Sequence, residues 1–213
     1  DAADHIYNDG IHILIDLSGH TAKNRLPIFA WKPAPVQISW LGYFASTGVA
    51  EIDYILGDPY VTPTKEANHF SEKIWQLPES YICFTEPNID IDVASLPALD
   101  KKRVTFGCFT KIARINDPVV RVWSEILHAV PTAVLFLKDK NFDVESVRDS
   151  FYDRFKVNGI QKDRLILEGL SPRSKYLAAY NRVDIALSPF PYGGGLTSVE
   201  GLWMGVPVIT MQG

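Results

Sequence analysis

The chain has 213 residues, 46% of them hydrophobic, and a formal net charge of −4 at pH 7. This length supports one large or two small folded domains, and the acidic balance argues against nucleic acid as a partner. No apolar run approaches the ~20 residues of a membrane span, and no signal peptide opens the sequence, so no membrane partner is expected. Two distant cysteines, Cys83 and Cys108, predict neither a disulfide framework nor a zinc site, which fits a reducing, cytoplasmic location.

The first half of the chain contains short apolar runs of strand length. Strands are predicted at residues 11–17, 36–41, 53–58 and, from a weaker pattern, 73–77. The near-continuous apolar run at 11–17 predicts a parallel strand that is covered on both faces. A short helix is predicted over residues 22–30, and the sequence ahead of the first strand is predicted to be a loop. Because the chain also stops just after a predicted strand, we expect it to be a piece of a longer protein.

The second half alternates strands with helices. Strands are predicted at residues 103–109, 133–137, 164–167, 184–187 and 207–210, and helices at 116–130, 142–158, 171–182 and 199–204. This alternation predicts an α/β fold with a parallel sheet, whose ligands bind at the carboxyl ends of the strands. Residues 78–102 lose the periodicity, so we interpret them as a linker or an ordered crossing between domains.

A glycine-rich turn, Gly193-Gly194-Gly195, lies between the strand at 184–187 and the helix at 199–204. Glycines let the backbone turn sharply and approach a ligand, and Thr197 or Ser198 is predicted to cap the following helix. A strand, a glycine turn and a helix N-terminus together favour a phosphate site. The alternative is a tight turn without a ligand.

Charged side chains near other strand ends and helix starts are suited to a nucleotide. Lys111 and Arg114 either pair with a diphosphate or are solvated surface charges. Arg173 stands near a helix start, where the helix dipole does not favour a cation, which points to a ligand. Glu200 either suits the dipole of its helix or binds ribose hydroxyls. Of the histidines, His20 in a strand-end loop is a better candidate than His12, which falls in an apolar strand.

The usual signatures of other enzyme classes are absent from the sequence. It contains no Ser-His-Asp elbow, no metal-ligand spacing, no Walker-type lysine and no GxGxxG after its first strand. Two α/β halves with loops suited to a diphosphate favour a nucleotide-sugar transferase, whose main catalytic demand is to stabilise the leaving nucleoside diphosphate.

Several motifs resemble, in order, the catalytic region of the O-linked N-acetylglucosamine transferase family, with the bacterial members closest. They are Asp9-Gly10-Ile11-His12, Gly19-His20-Thr21, Arg25, Pro33-Ala34-Pro35-Val36-Gln37, Trp40-Leu41-Gly42-Tyr43, Asp117-Pro118, and Tyr192 to Gly205. The resemblance implies a GT-B architecture, in which two Rossmann-like domains face each other across a cleft. Residues 1–100 then form part of the first domain plus a linker, and residues 101–213 form the start of the second, UDP-binding domain.

The resemblance also implies an activity. A sugar, N-acetylglucosamine or another hexose such as glucose, passes from a UDP-sugar to Ser or Thr hydroxyls of proteins, with inversion and without a metal or another cofactor. Tetratricopeptide repeats and a histidine proposed as the base are expected upstream of this segment, so the segment alone is expected to be inactive.

Site residues carry over by position from the family. Leu41, Gly42 and Tyr43 correspond to the sugar pocket, and His12, His20, Thr21 and Arg25 are further candidates within the motifs. Arg114 replaces a lysine that faces the diphosphate, Lys111 a glutamine near the uridine, Arg173 a lysine near the base, and Tyr176 a histidine. Gly195, Leu196 and Thr197 form the phosphate-binding helix start, next to Gly194 and Ser198. Glu200 replaces an aspartate that contacts ribose.

Two alternatives stay open. One is a GT-B enzyme that acts on small molecules or glycans, and the other is a non-catalytic binding module. The second alternative is motivated by Arg114, Tyr176 and Leu196, which stand where the family has a lysine, a histidine and a threonine.

Overall fold

The computed structural model describes residues 1–211 and divides into two compact units, Asp1–Thr85 and a second from Glu86 onward. Each unit contains one sheet in which all strands are parallel. The prediction of two α/β halves with parallel sheets is confirmed. No helix within residues 1–211 is long and apolar enough to cross a membrane.

The first unit is built on a four-stranded sheet in the order β1-β2-β3-β4. Its elements are α1 (Ala2–Asn8), β1 (Ile13–Asp16), α2 (Leu26–Phe29), β2 (Val36–Ser39), β3 (Tyr54–Gly57) and β4 (Lys73–Gln76). Its core cluster consists of Leu26, Phe29 and Ile52, with Leu14 of β1 packed against it. The strands therefore fall where the apolar runs predicted them.

The expectation that the first strand is covered on both faces is wrong within the described residues. β1 is an edge strand, and its side chains at Ile13 and Ile15 are 56% and 44% exposed. The opposite face carries the buried Asp16 and the core contact of Leu14. An apolar run predicts a strand but does not show whether a second layer covers it.

Two helices of this unit also differ from their predictions. The predicted opening loop is the helix α1, because Asp1 and Asp4 form a reciprocal capping box at its start. The helix predicted over 22–30 is only Leu26–Phe29, since residues 21–25 form a turn in which Asn24 Oδ1 accepts from the backbone N–H of Leu26.

The second unit contains a five-stranded sheet in the order β7-β6-β5-β8-β9. Its elements are α3 (Pro97–Lys101), β5 (Thr105–Cys108), α4 (Asp117–Ala129), β6 (Val134–Lys138), α5 (Glu145–Val157), β7 (Leu165–Glu168), α6 (Arg173–Ala178), β8 (Ile185–Leu187), α7 (Leu196–Trp203) and β9 (Val208–Ile209). Two of the predicted helices are divided. A 3₁₀ turn, Lys140–Asp143, precedes α5, and another, Ala179–Arg182, follows α6.

Apolar side chains cover both faces of this second sheet. On one face α4 and α5 bury Trp123, Leu127 and Phe155. On the other face Phe136 of β6 packs with Leu177 and its neighbours. This two-sided cover explains the continuous apolar character of β6, in which all five residues are buried.

The segment from 86 to 100 belongs to the second unit, although the sequence analysis grouped it with the first domain as a linker. Ile89 and Ile91 pack against the apolar cluster around Leu177. The Ala98 N–H of α3 donates to Asp184 Oδ1 at 2.7 Å, and the Thr105 N–H donates to Asp184 Oδ2 at 2.7 Å. These long-range contacts leave no periodic signal in the sequence.

We expect Asp184→Asn to lower the free energy of unfolding by about 2–4 kcal/mol. The carboxylate is buried and accepts two backbone N–H groups, whereas an amide has one oxygen and would turn an N–H₂ towards a donor. Urea unfolding followed by tryptophan fluorescence measures the change. Asp100→Asn, at an exposed site in α3, is the matched control and should shift unfolding by less than about 0.5 kcal/mol. Equal effects would show that Asp184 does not anchor the segment.

Candidate functional site

The glycine turn lies at the carboxyl edge of the second sheet, between β8 and α7. Gly195 is the N-cap of α7, with φ −105° and ψ −97°, and no side chain caps the helix. The prediction that Thr197 or Ser198 caps it is wrong, because the helix begins at Leu196 and both residues lie within its first turn. The Ser198 N–H donates to the Gly195 carbonyl at 3.0 Å, so among the described residues the N–H groups of Leu196 and Thr197 and the positive end of the α7 dipole remain for a ligand.

Hydroxyl groups crowd the middle of the turn. A Cβ added to Gly194 would lie 2.4 Å from Ser198 Oγ, 2.9 Å from Thr197 Oγ1 and 3.3 Å from Thr110 Cγ2. The Gly194 N–H donates to Ser188 Oγ at 3.0 Å. Only glycine fits there without displacing these side chains, so the turn is held close to the two hydroxyls of α7.

A second loop brings a guanidinium to the turn. After β5, the 3₁₀ turn Ile112–Arg114 places Arg114 so that its Nη1 donates to the carbonyl oxygen of Gly193. β5 and β8 are neighbours in the sheet, which is why loops about 80 residues apart meet. Arg114 and Lys111 are both exposed, and Lys111 directly precedes the 3₁₀ turn.

A third group of predicted residues forms one network beside the turn. Arg173 Nη2 donates to Glu200 Oε1, and the Arg173 guanidinium lies 5.5 Å from the centre of the Tyr176 ring. The structure thus brings together Arg173, Tyr176 and Glu200, which the sequence analysis named separately. The charge-assisted hydrogen bond that Arg173 donates to Glu200 raises the pKa of Arg173, so the guanidinium stays charged.

Two tyrosines link this network to the start of α7. Burial raises the pKa of Tyr176 to about 12, and burial likewise raises the pKa of Tyr180. Both phenols therefore stay protonated at neutral pH and act as donors. The Tyr180 hydroxyl donates to the Thr197 carbonyl at 2.8 Å, and that of Tyr176 reaches the Phe109 carbonyl at 3.5 Å.

The enclosed space at this edge is small. A cavity of about 20 Å³ is lined by side chains that include Cys108, Thr110, Ser188, Thr197 and Ser198. That volume holds about one water molecule and excludes a nucleotide, so a diphosphate would bind on the exposed side of the turn, where Arg114 lies. Burial raises the pKa of the Cys108 thiol, whose Sγ lies 3.2 Å from Thr110 Oγ1.

In the first unit, the loops after β1 and β2 pack against each other. A Cβ on Gly42 would lie 2.3 Å from the Leu17 carbonyl oxygen, and one on Gly19 would lie 3.0 Å from Tyr43 Cβ. Leu41 has φ +70°, a strained conformation for a bulky residue and one that clusters at functional sites. The predicted sugar-pocket residues therefore form a tightly set and exposed loop.

The same loops contain the candidates His20 and Thr21, whereas the candidates His12 and Arg25 lie outside them. His20 Nε2 lies 3.1 Å from the Ser46 carbonyl oxygen, and Thr21 Oγ1 donates to the Ser18 carbonyl. His12 is exposed and precedes β1, so it is not the core histidine of an apolar strand, and it lies at the opposite end of the strand from His20. Arg25 is exposed and directly precedes α2.

Several residues that shape these loops were not predicted from the sequence. Ser188 and Thr110 border Gly194, and Tyr180 holds α7. Glu72 is buried and accepts from the Thr47 N–H at 2.7 Å and from Ser46 Oγ at 2.9 Å. Nothing in the local sequence indicates that Glu72 is buried beside Ser46 and Thr47. Ser188, by contrast, directly follows the apolar strand β8, and this position could have identified it as a candidate. Residues 1–211 contain no cluster of three His, Cys, Asp or Glu side chains that could hold a metal ion.

Comparison with known proteins shows the family of this chain. The family model for glycosyl transferase family 41 matches residues 1–89 and 88–213. The chain belongs to glycosyl transferase family 41. It is 40% identical over 209 residues to a Petunia hybrida protein named probable UDP-N-acetylglucosamine–peptide N-acetylglucosaminyltransferase SPINDLY. It is 33% identical over 214 residues to the Arabidopsis thaliana protein named probable UDP-N-acetylglucosamine–peptide N-acetylglucosaminyltransferase SEC.

Solved structures share the fold of this chain. A mutant of the Thermobaculum terrenum O-GlcNAc transferase is 35% identical and superposes over 100% of this chain with a TM-score of 0.91. The resemblance to O-linked N-acetylglucosamine transferases and the GT-B-type α/β fold are thereby confirmed. The chain spans 40% of that structure and 22% of each of the two plant relatives. Anabaena HepE, in complex with UDP and glucose, is 11% identical with a TM-score of 0.58 and shares the fold alone.

Proposed function

We propose that this chain is part of the catalytic region of an inverting glycosyltransferase that moves a sugar, N-acetylglucosamine or another hexose, from a UDP-sugar to Ser or Thr hydroxyls of proteins. One observation carries the proposal: Arg114 donates to the carbonyl of Gly193 in the turn that opens α7. A fixed cation and a free helix N-terminus at one strand edge suit a diphosphate. The names of the plant relatives supply the sugar and the peptide acceptor.

The chain's residues act on the leaving group. The acceptor oxygen forms a bond to the anomeric carbon as the bond from that carbon to the diphosphate oxygen breaks, and the electron pair passes to UDP. Arg114, the N–H groups at the start of α7 and the hydroxyls of Thr197 and Ser198 stabilise the developing charge. The hydroxyl proton passes to a general base, a role that the family resemblance gives to a histidine upstream of this segment.

The other predicted residues bind the rest of the donor. The nucleoside is bound by Arg173 and Tyr176, which lie in one network beside the turn. Lys111, which precedes the 3₁₀ turn of Arg114, binds it too. Leu41, Gly42 and Tyr43 contribute to the sugar pocket, and the strained backbone of Leu41 supports this. His20 and Thr21 support the same loop pair.

We further propose that transfer needs no metal, because Arg114 and the α7 dipole supply the positive charge that a metal would otherwise bring. The reaction takes place in the cytoplasm, in agreement with the free thiols of Cys83 and Cys108. Tetratricopeptide repeats upstream hold the protein acceptor.

The test uses the full-length product of the gene that encodes this chain. The protein is incubated with UDP-N-acetylglucosamine, and UDP release is measured with and without candidate acceptor proteins. We expect release that rises with acceptor and that persists in millimolar EDTA. If UDP were released only from UDP-glucose, the donor would be UDP-glucose instead of UDP-N-acetylglucosamine. If EDTA abolished UDP release and Mg²⁺ or Mn²⁺ restored it, the metal-free proposal would be contradicted. Tighter binding of GDP than UDP would overturn the uridine assignment, and no nucleotide binding at all would favour a non-catalytic binding module.

A further inference from the structure

The Arg173–Glu200 ion pair is unevenly buried. Glu200 is 1% exposed, whereas the side chain of Arg173 is 47% exposed. A carboxylate so deeply buried cannot be reached by a ribose hydroxyl unless α7 or Arg173 moves. The guanidinium, by contrast, is accessible from solvent.

We propose that Glu200 is a positioning residue for Arg173, and that it holds the guanidinium over the Tyr176 ring so that the remaining N–H groups are ready for the nucleoside diphosphate. This inference rests on the proposed function, because it concerns the same nucleotide site. It differs from the role that the resemblance gives to position 200, which is a direct contact to ribose.

The surroundings fix both partners of the pair. Tyr180, in the 3₁₀ turn that continues α6, donates to the Thr197 carbonyl in the first turn of α7 at 2.8 Å, and Arg173 of α6 donates to Glu200 further along α7. The cation–π contact with Tyr176 adds a second restraint on the guanidinium. An arginine held in this way loses less conformational entropy when a ligand binds than a free one does.

The burial asymmetry also selects the informative variant. Arg173→Gln leaves a buried carboxylate without its cation, which is expected to destabilise the fold. Glu200→Gln keeps the shape and removes the buried negative charge, so the exposed Arg173 guanidinium loses its ionic partner although the amide oxygen can still accept a hydrogen bond, and the fold is expected to persist. Arg173→Lys is a second informative variant, because it keeps a charge near Glu200 but loses the planar donor geometry.

The experiment measures dissociation constants of UDP and 2′-deoxy-UDP by calorimetry for the wild type, Glu200→Gln, Arg173→Lys and the double variant. We expect Glu200→Gln to weaken both nucleotides about 10-fold and to add little to Arg173→Lys. A loss confined to UDP, or an undiminished effect of Glu200→Gln in the Arg173→Lys background, would show a direct ribose contact and overturn the positioning role. Unchanged binding in Glu200→Gln would overturn it too.

Two controls separate the possible failures. Asp117→Asn breaks the ion pair with Arg154 of α5, in which the carboxylate is the exposed partner, and should leave nucleotide binding within twofold of the wild type. Thermal unfolding of each variant verifies that the binding data come from folded protein. If the wild type bound no UDP, the proposed function itself would be overturned. If the wild type bound UDP and Glu200→Gln bound it with the same dissociation constant, only the positioning role would be overturned.

Discussion

Arg114→Ala should lower the rate of sugar transfer by about 100- to 1,000-fold, the usual effect of removing one donor that stabilises charge in a transition state. Arg114 is exposed and contacts the glycine turn through the Gly193 carbonyl, so the variant should fold normally. The loss should fall mainly on kcat, because the diphosphate carries more charge as it leaves than in the bound donor. Initial rates of UDP release at several donor concentrations measure it in the full-length protein.

Two further variants sharpen this test. Arg114→Lys should retain part of the activity, since it keeps the charge but loses the planar fork of donors. Arg121→Ala removes an exposed arginine from α4 in the same unit and should leave transfer unchanged. If Arg114→Ala and Arg121→Ala had the same effect, Arg114 would be an ordinary surface charge.

Gly194→Ala should weaken UDP binding by about 10- to 100-fold, equal to about 1.4–2.7 kcal/mol. The added methyl group would lie 2.4 Å from Ser198 Oγ and 2.9 Å from Thr197 Oγ1, so these hydroxyls or the turn must move. Overpacking of this kind also costs about 1–3 kcal/mol of folding stability. Calorimetric titration with UDP and urea unfolding measure the two effects separately.

A double variant distinguishes overlap from a general loss of flexibility. Ser198→Ala removes the atom that the new methyl group would meet first, so Gly194→Ala/Ser198→Ala should regain part of the folding stability of the wild type, the contact with Thr197 Oγ1 remaining. UDP binding should stay weak, because the double variant lacks one hydroxyl. If stability did not recover, the overlap with Ser198 would not be the cause of the destabilisation.

The alternation of strands and helices could be predicted from the amino-acid sequence, because the apolar face of a helix and the apolar run of a buried strand are local patterns. It placed the glycine turn after an apolar strand and Arg114 after another, and parallel strands bring such loops to one edge. The ordered motifs, from Gly19-His20-Thr21 to the glycine turn, identified the family before any coordinate did.

The folded chain was needed to see which side chains contact each other and which faces of the sheets are covered. Glu200 and Arg173 are 27 residues apart, and nothing in their local sequences predicts that one is buried against the other. The same holds for Asp184, which anchors a segment that resembles a linker, and for β1, whose outer face is exposed. The physical reason is that periodicity records how one segment folds, whereas burial and ion pairing depend on the neighbour that packing supplies.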